Sequence, residues 1–491
     1  MINIKLPTII QGGMGAGVSS WSLANAVSKA GQLGVVSGTA MDVILVRRLQ
    51  VGDPGGHMRR SLKRFPIPDV AQRIIDKYFV EGGKAADKPF KGKPIPNEKP
   101  SRNLEELLVA SNFVEVDLAK EGHNNPVGIN YLEKIQVPNL PSFYGAMLAG
   151  VTYVLMGAGI PRAIPGILDR LAQRQSVELR LDVKGADSGE VFMTHFDPNA
   201  FFEGAAPDVD RPDFLAIVAS ATLANMLSRK ASGKVNGFVI EGPTAGGHNA
   251  PPRGRLQLSN EGEPIYGDRD ITDLEAISAL GLPFWLAGSY AEPERVVEAL
   301  SQGAAGVQIG TAFAYCEESG LSHDIKSRTL AMSRKGEARV FTDPIASPTG
   351  FPFKVLQMED TNSNAENYEN RVRICDLSYL RHAYKKSDGK LGWRCPSEPV
   401  EDYLRKGGKL EDTVGRKCVC NGLLANLDLG QIKKSGELER ALITSGDDVA
   451  NVARFLKPGA DSYKAVDVLE YLLRDVNGTT LRSEADTIAV T

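Results

Sequence analysis

The segment best equipped for chemistry runs Glu241-Gly242-Pro243-Thr244-Ala245-Gly246-Gly247-His248. Two glycines before a histidine let a loop lie flat against a planar ligand and hold an imidazole over it. Imidazole is also the side chain that can take or give a proton near neutral pH. A histidine met alone is more often structural. This one is among only six in the chain and directly follows an apolar run that reads as a strand. Two more strand ends carry glycine: Ala287-Gly288-Ser289 and Gly306-Val307-Gln308-Ile309-Gly310-Thr311. Amides beside a glycine can approach a phosphate closely, and Thr311 adds a hydroxyl donor. In parallel barrels, phosphate commonly sits after the seventh and eighth strands, so the pair points to a phosphate group there.

The elements that must position these residues are short, continuous apolar runs near residues 7–13, 33–39, 127–132, 153–157, 214–220, 237–242, 284–289 and 306–311. Continuous rather than alternating apolar runs mark strands buried on both faces by helices. Helices with recognisable ends lie between them. Ser19 or Ser20 can cap one that stops at Gly31, Thr272-Asp273-Leu274-Glu275 fits a capping box, and Pro293 suits a first turn. Eight strand–helix units predict an α/β fold, a closed (β/α)8 TIM barrel. Residues 177–183 and 191–195 are expected to form a hairpin inserted before the fifth barrel strand. The barrel is assigned to 1–355, with an insertion at 41–125 whose Lys- and Pro-rich centre, 84–100, reads as an exposed loop. A mainly helical C-terminal extension is assigned to 356–491, with helices near 436–444 and 464–475.

Bulk composition removes several function classes. The chain has 491 residues, 42% hydrophobic and 24% charged, with a formal net charge of -3, so no global basic field attracts nucleic acid. Arg59, Arg60, Lys63 and Arg64 read as a solvated helix face. No stretch is long and apolar enough for a membrane helix, and the start shows no secretion leader. Five cysteines in so long a chain do not make a disulfide framework, and a cytoplasmic protein is expected. The first strand leads into Gln11-Gly12-Gly13-Met14-Gly15-Ala16-Gly17. The spacing is not that of a dinucleotide fold, and the second strand ends Val36-Ser37-Gly38 with no acid for a ribose. Paired histidines and carboxylates for a catalytic metal are missing at the first strand end, and there is no nucleophile elbow or Walker A sequence. Lys184 reads as a surface lysine rather than a Schiff-base former.

In family order, Ile9-Ile10-Gln11-Gly12-Gly13-Met14, Gly34-Val35-Val36, Val127-Gly128-Ile129-Asn130, Ala245-Gly246-Gly247-His248, Ala287-Gly288 and Gly306–Thr311 resemble the motifs of nitronate monooxygenases and related flavin-dependent enoyl reductases. The resemblance implies FMN over the barrel mouth, against the backbone of Gly12, Gly13 and Met14. Asn130 would bond the flavin, and Gly246, with Gly247 beside it, would back it. Gly288, Gln308, Ile309, Gly310 and Thr311 would hold the phosphate. Glu241 stands where many relatives carry glutamine, and could accept from a ribityl hydroxyl. His248 would be the base that removes a proton next to a nitro group. Electrons then pass to FMN, O2 reoxidises it, and a carbonyl compound and nitrite result.

Departures leave the substrate open. Pro243-Thr244 replaces the commoner acidic approach to the histidine, and Asn249–Gly254 is a stiff, basic loop. The tail is similar to that of larger family members serving polyunsaturated fatty acid and polyketide pathways. Three readings therefore stand: a nitronate monooxygenase using O2, an NAD(P)H-dependent enoyl reductase acting on an enoyl thioester, and a non-catalytic flavin-holding partner protein. The expected partner is a small-molecule substrate, with a homo-oligomer allowed. Cys375, Cys395, Cys418 and Cys420 all fall in the tail. Four thiolates could close a zinc site, but the spacing is not that of a zinc ribbon, and buried reduced thiols are the alternative. No metal ligand is assigned.

Overall fold

The computed structural model describes residues 6–488, with side chains to 476. The first five residues, part of the segment read as lacking a leader, lie outside the described residues. Eight parallel strands form one sheet: β1 (Ile9–Gln11), β2 (Gly34–Ser37), β3 (Val127–Leu132), β4 (Tyr153–Gly157), β5 (Asp213–Val218), β6 (Gly237–Glu241), β7 (Phe284–Ala287) and β8 (Gly306–Ile309). β1 pairs with β8, and the order then descends to β2. The ring closes where Gln11 N donates to Leu33 O at 2.9 Å and Leu33 N to Ile9 O at 3.1 Å. This is a (β/α)8 barrel.

Alternation within each strand explains why the runs read as continuously apolar. Ile10, Val35, Leu155, Leu215, Val239 and Trp285 fill the barrel interior. Their neighbours Ile9, Val36, Val154, Phe214, Phe238 and Leu286 face the helices outside. Both faces are therefore dry. Trp285 anchors the floor by donating its indole N–H to Pro7 O at 2.8 Å.

The helix ends follow their sequence signals. Ser20 caps Trp21–Lys29 through the amide of Leu23, and Pro293 opens Pro293–Ser301. At the expected capping box, Asp273 rather than Thr272 is the cap, because its carboxylate accepts from Ala276 N while Thr272 bonds Ala219 O. The hairpin before β5 forms from Val177–Arg180 and Met193–Phe196. Lys184 is exposed. The 41–125 segment holds helices Met41–Gln50, His57–Leu62 and Pro68–Tyr78, then the long crossover Arg102–Ala119. Its basic residues Arg60 and Arg64 are not merely solvated: they pair with Glu121 and Asp117.

The tail contains Val400–Arg405, Val419–Ala425 and Ala465–Ile488 as helices, together with a hairpin, His382–Lys385 with Leu391–Arg394. The helix expected at 436–444 is absent. Gly436 turns the chain at φ 85°, and Ile432 bridges Leu438 across that turn. Leu377, Leu380, Leu424, Leu442, Val468 and other tail residues join the same hydrophobic cluster as the barrel's outer face. No helix among the described residues is long and apolar enough to cross a membrane.

Candidate functional site

One cavity sits at the C-terminal mouth of the barrel, and every barrel strand, or the loop after it, contributes to its wall. Gly12, Gly13, Met14, Asn130, Glu241, Gly246, Gly247, His248, Gly288, Gln308, Ile309, Gly310 and Thr311 all line it. The sequence-derived site residues thus converge, although they come from five strand ends up to 299 positions apart, from residue 12 to residue 311.

The turn after β1 is held from inside. The Gln11 side chain donates to Gly12 O at 2.6 Å and to Ser19 Oγ at 2.8 Å, and Ser19 Oγ accepts from Met14 N at 2.9 Å. Gly13 is required by contact, because a Cβ there would lie 2.3 Å from the Cβ of Asn130. Gly288 is required by its backbone (φ 106°) and by Thr244 Oγ1, which a Cβ would meet at 2.9 Å. Three non-glycine residues at this rim, Ala40, Ala158 and Ser289, have φ of 57°, 53° and 57°. Left-handed backbone in residues with a Cβ is costly and gathers at ligand sites.

The histidine loop is clamped on two sides. Gly242 N donates to Ala287 O at 2.9 Å, Lys354 N to Gly247 O at 3.0 Å, and Gly247 N to Thr444 Oγ1 at 3.0 Å. The His248 ring lies 4.7 Å from that of Phe353, and its Nε2 is 2.6 Å from Ser347 Oγ. Nδ1 has no hydrogen-bond partner among the described residues, which leaves it for a bound molecule. Part of the ring stays open, toward the cavity it lines. Desolvation nevertheless pushes its pKa down to about 4, so the imidazole is neutral across the physiological range. The same cause acts oppositely on the neighbouring acid: burial pushes Glu241 up to about 8, making it a neutral carboxyl at pH 7. The Glu241 carboxyl has no hydrogen-bond partner among the described residues.

The tail supplies a wall that no motif announced. Tyr379, Leu380, Val419, Cys420, Leu423 and Leu424 line the cavity. Beside β8, Gly446 N donates to Thr311 Oγ1 at 2.9 Å and Asp447 N to Thr244 O at 3.2 Å. Thr311 keeps its own O–H to donate. No Lys or Arg lines the cavity, and the carboxylate of Asp448 there is paired with Arg454 at 2.8 Å. Among the described residues, no three His, Cys, Asp or Glu groups are placed to hold a metal ion.

Residues 160–386 match the family model for nitronate monooxygenase. The matched segment, less than half of the chain, is similar to that family. That match covers β5 to β8 and the histidine loop; Gly12 to Met14 and Asn130 lie outside it and reach the cavity through the fold. A probable nitronate monooxygenase of Bacillus subtilis (strain 168) is 34% identical over 104 residues, 21% of this chain and 28% of that protein. A (3aS,4S,5R,7aS)-5-hydroxy-7a-methyl-1-oxo-octahydro-1H-indene-4-carboxyl-CoA dehydrogenase of Mycobacterium tuberculosis is 27% identical over 143 residues, 29% of this chain and 36% of that protein. The chain therefore spans 28% of the first relative's length and 36% of the second's. The solved enoyl reductase domain of MlnA from Bacillus amyloliquefaciens aligns with 98% of this chain and 97% of its own at 14% identity, with a TM-score of 0.47.

Proposed function

We propose that this protein is a member of the nitronate monooxygenase family, an FMN-dependent oxidoreductase that oxidises alkyl nitronates with O2 to a carbonyl compound and nitrite. The observation that carries the reading is a neutral His248 with an unengaged Nδ1, held by Ser347 and Phe353 in the same cavity as the glycine-lined ends of β1, β7 and β8. The residues present fit FMN. Gln308 Oε1 is a buried polar atom without a partner, and Gln308 lines the cavity. Gly13 and Gly288 leave room that a Cβ would take.

Gly12, Gly13 and Met14 would carry the ring, Asn130 and Gln308 would bond its edge, and Gly288 with residues 309–311 would hold the phosphate. With no cation in the wall, that phosphate would be bound by backbone amides and the Thr311 hydroxyl. When bound, FMN supplies a two-electron sink that O2 can recharge. His248, with a pKa near 4, is a weak base. It is better matched to a nitronate, which has already lost its carbon-bound proton, than to a neutral nitroalkane. The neutral Glu241 carboxyl can donate a hydrogen bond where a carboxylate could only accept.

The test is nitrite release with matching oxygen uptake on several alkyl nitronates. Turnover that disappears in His248→Ala while FMN stays bound supports the assignment and removes the scaffold reading; no turnover on any nitronate overturns it. A second reading, an NAD(P)H-dependent enoyl reductase, draws on the apolar tail wall of Leu380, Val419, Leu423 and Leu424, which suits an acyl chain. Anaerobic mixing with NADH and NADPH decides it, since a flavin that stays oxidised excludes a reductase.

A further inference from the structure

The tail's four cysteines come from three separate stretches. Cys375 follows the short helix Ala365–Glu369, Cys395 follows the strand Leu391–Arg394, and Cys418 and Cys420 open the helix Val419–Ala425. All four nevertheless line one small cavity. All are free thiols, and Cys395 and Cys418 are buried. The cavity adjoins the barrel-mouth site: Tyr379, Leu380, Val419 and Cys420 line both.

We propose that Cys375, Cys395, Cys418 and Cys420 ligate an iron–sulfur cluster set against the wall of the barrel-mouth cavity. A single zinc ion draws its thiolates to about 2.3 Å from one point, and no three of these groups are so placed. A cluster instead holds four thiolates around the outside of an iron–sulfide cage. That needs four cysteines around a shared void, and these four line one.

The surroundings suit such a group. The backbone amides of Ser397, Asn421 and Leu380 lie within hydrogen-bonding reach of the sulfurs of Cys395, Cys418 and Cys420. The Asn421 side-chain amide also donates to Cys418 Sγ at 3.6 Å. Arg381 lies within electrostatic reach of three of the sulfurs, and Arg371 of the fourth. Donors and cations around sulfur stabilise a net negative cluster and tune its potential. On assembly four S–H bonds break, four Fe–S bonds form and the protons go to solvent. Iron enters as mixed ferrous and ferric ions with inorganic sulfide, so no further oxidant is needed.

The test uses the full-length protein purified anaerobically, and again after incubation with ferrous iron, ferric iron, sulfide and a thiol. Equal amounts of protein-bound iron and acid-labile sulfide are expected, with a visible band that persists after flavin release and bleaches with dithionite. Cys418→Ser/Cys420→Ser should lose both iron and sulfide, whereas Cys316→Ser, outside the cluster, should keep them. Absence of iron and sulfide from both wild-type preparations, or stoichiometric zinc in their place, overturns the proposal whether or not the variants fold. Flavin content is read separately in the same samples, so failure here is distinct from failure of the FMN assignment.

Discussion

At the scale of single residues, one physical cause sets the protonation of the site. Burial lowers His248 to about 4 and raises Glu241 to about 8, so between those values both groups are neutral. In the free enzyme, kcat/KM should fall on an acid limb near 4 as the imidazole protonates. It should change again near 8 as Glu241 ionises, and Glu241→Gln should abolish only the alkaline change. The stability linkage has a definite sign. The native state holds the Glu241 proton more tightly than the unfolded chain does, so stability falls as pH rises from 4.5 toward 8, and Glu241→Gln should flatten that slope. His248 works the other way: stability falls as pH drops from 6.5 toward 4. His248→Ala should lower kcat/KM by at least about tenfold with FMN retained, the cost of losing a hydrogen bond to the bound nitronate anion. A smaller loss would take that contact away from His248. The histidine itself was legible because glycines and a strand end flank it. Ser347, which holds its Nε2, was not, because a serine 99 positions away carries no local pattern.

At the scale of elements, the eight strands were readable because burial on both faces leaves continuous apolar runs bounded by glycine. Leu155, in the barrel interior, has no exposed surface. Leu155→Ala should cost about 2–5 kcal/mol in denaturant unfolding, whereas a change at exposed Lys184 should cost almost nothing. The turn after β1 is the most sterically exacting part of the site. In Gly13→Ala the new methyl meets Asn130 at 2.3 Å, so one of the two must move. FMN affinity should fall by at least about tenfold, measured by flavin fluorescence on titration into the stripped protein. The helix expected at 436–444 failed for an instructive reason. Its apolar residues Leu438, Leu442 and Ile443 have near-helical spacing, yet Gly436 turns the backbone and Leu442 and Ile443 are buried against the barrel instead. Tertiary burial overrode periodicity.

At the scale of the whole molecule, the tail is part of the site. Strand Phe353–Leu356 holds the histidine loop, Leu356 N donates to Ile443 O at 2.9 Å, and residues 444–446 reach the mouth beside β8. No motif marks these contacts, since they join segments brought together only by the fold. Truncation after residue 355 would expose Leu377, Leu424, Leu442 and Val468 partners on the barrel. The truncated chain should lose cooperative thermal unfolding and flavin together; a stable, flavin-binding 1–355 fragment would refute that dependence.

The most direct measurement for the central claim is identification of the chromophore released by heat from the purified, reconstituted protein, in the wild type and in Gly13→Ala. Convergence of His248, Gly13 and the β7 and β8 ends on one isoalloxazine predicts FMN, bound in proportion to protein and diminished by the added methyl. Protein that takes up no flavin, or takes it up equally well in both forms, would contradict it.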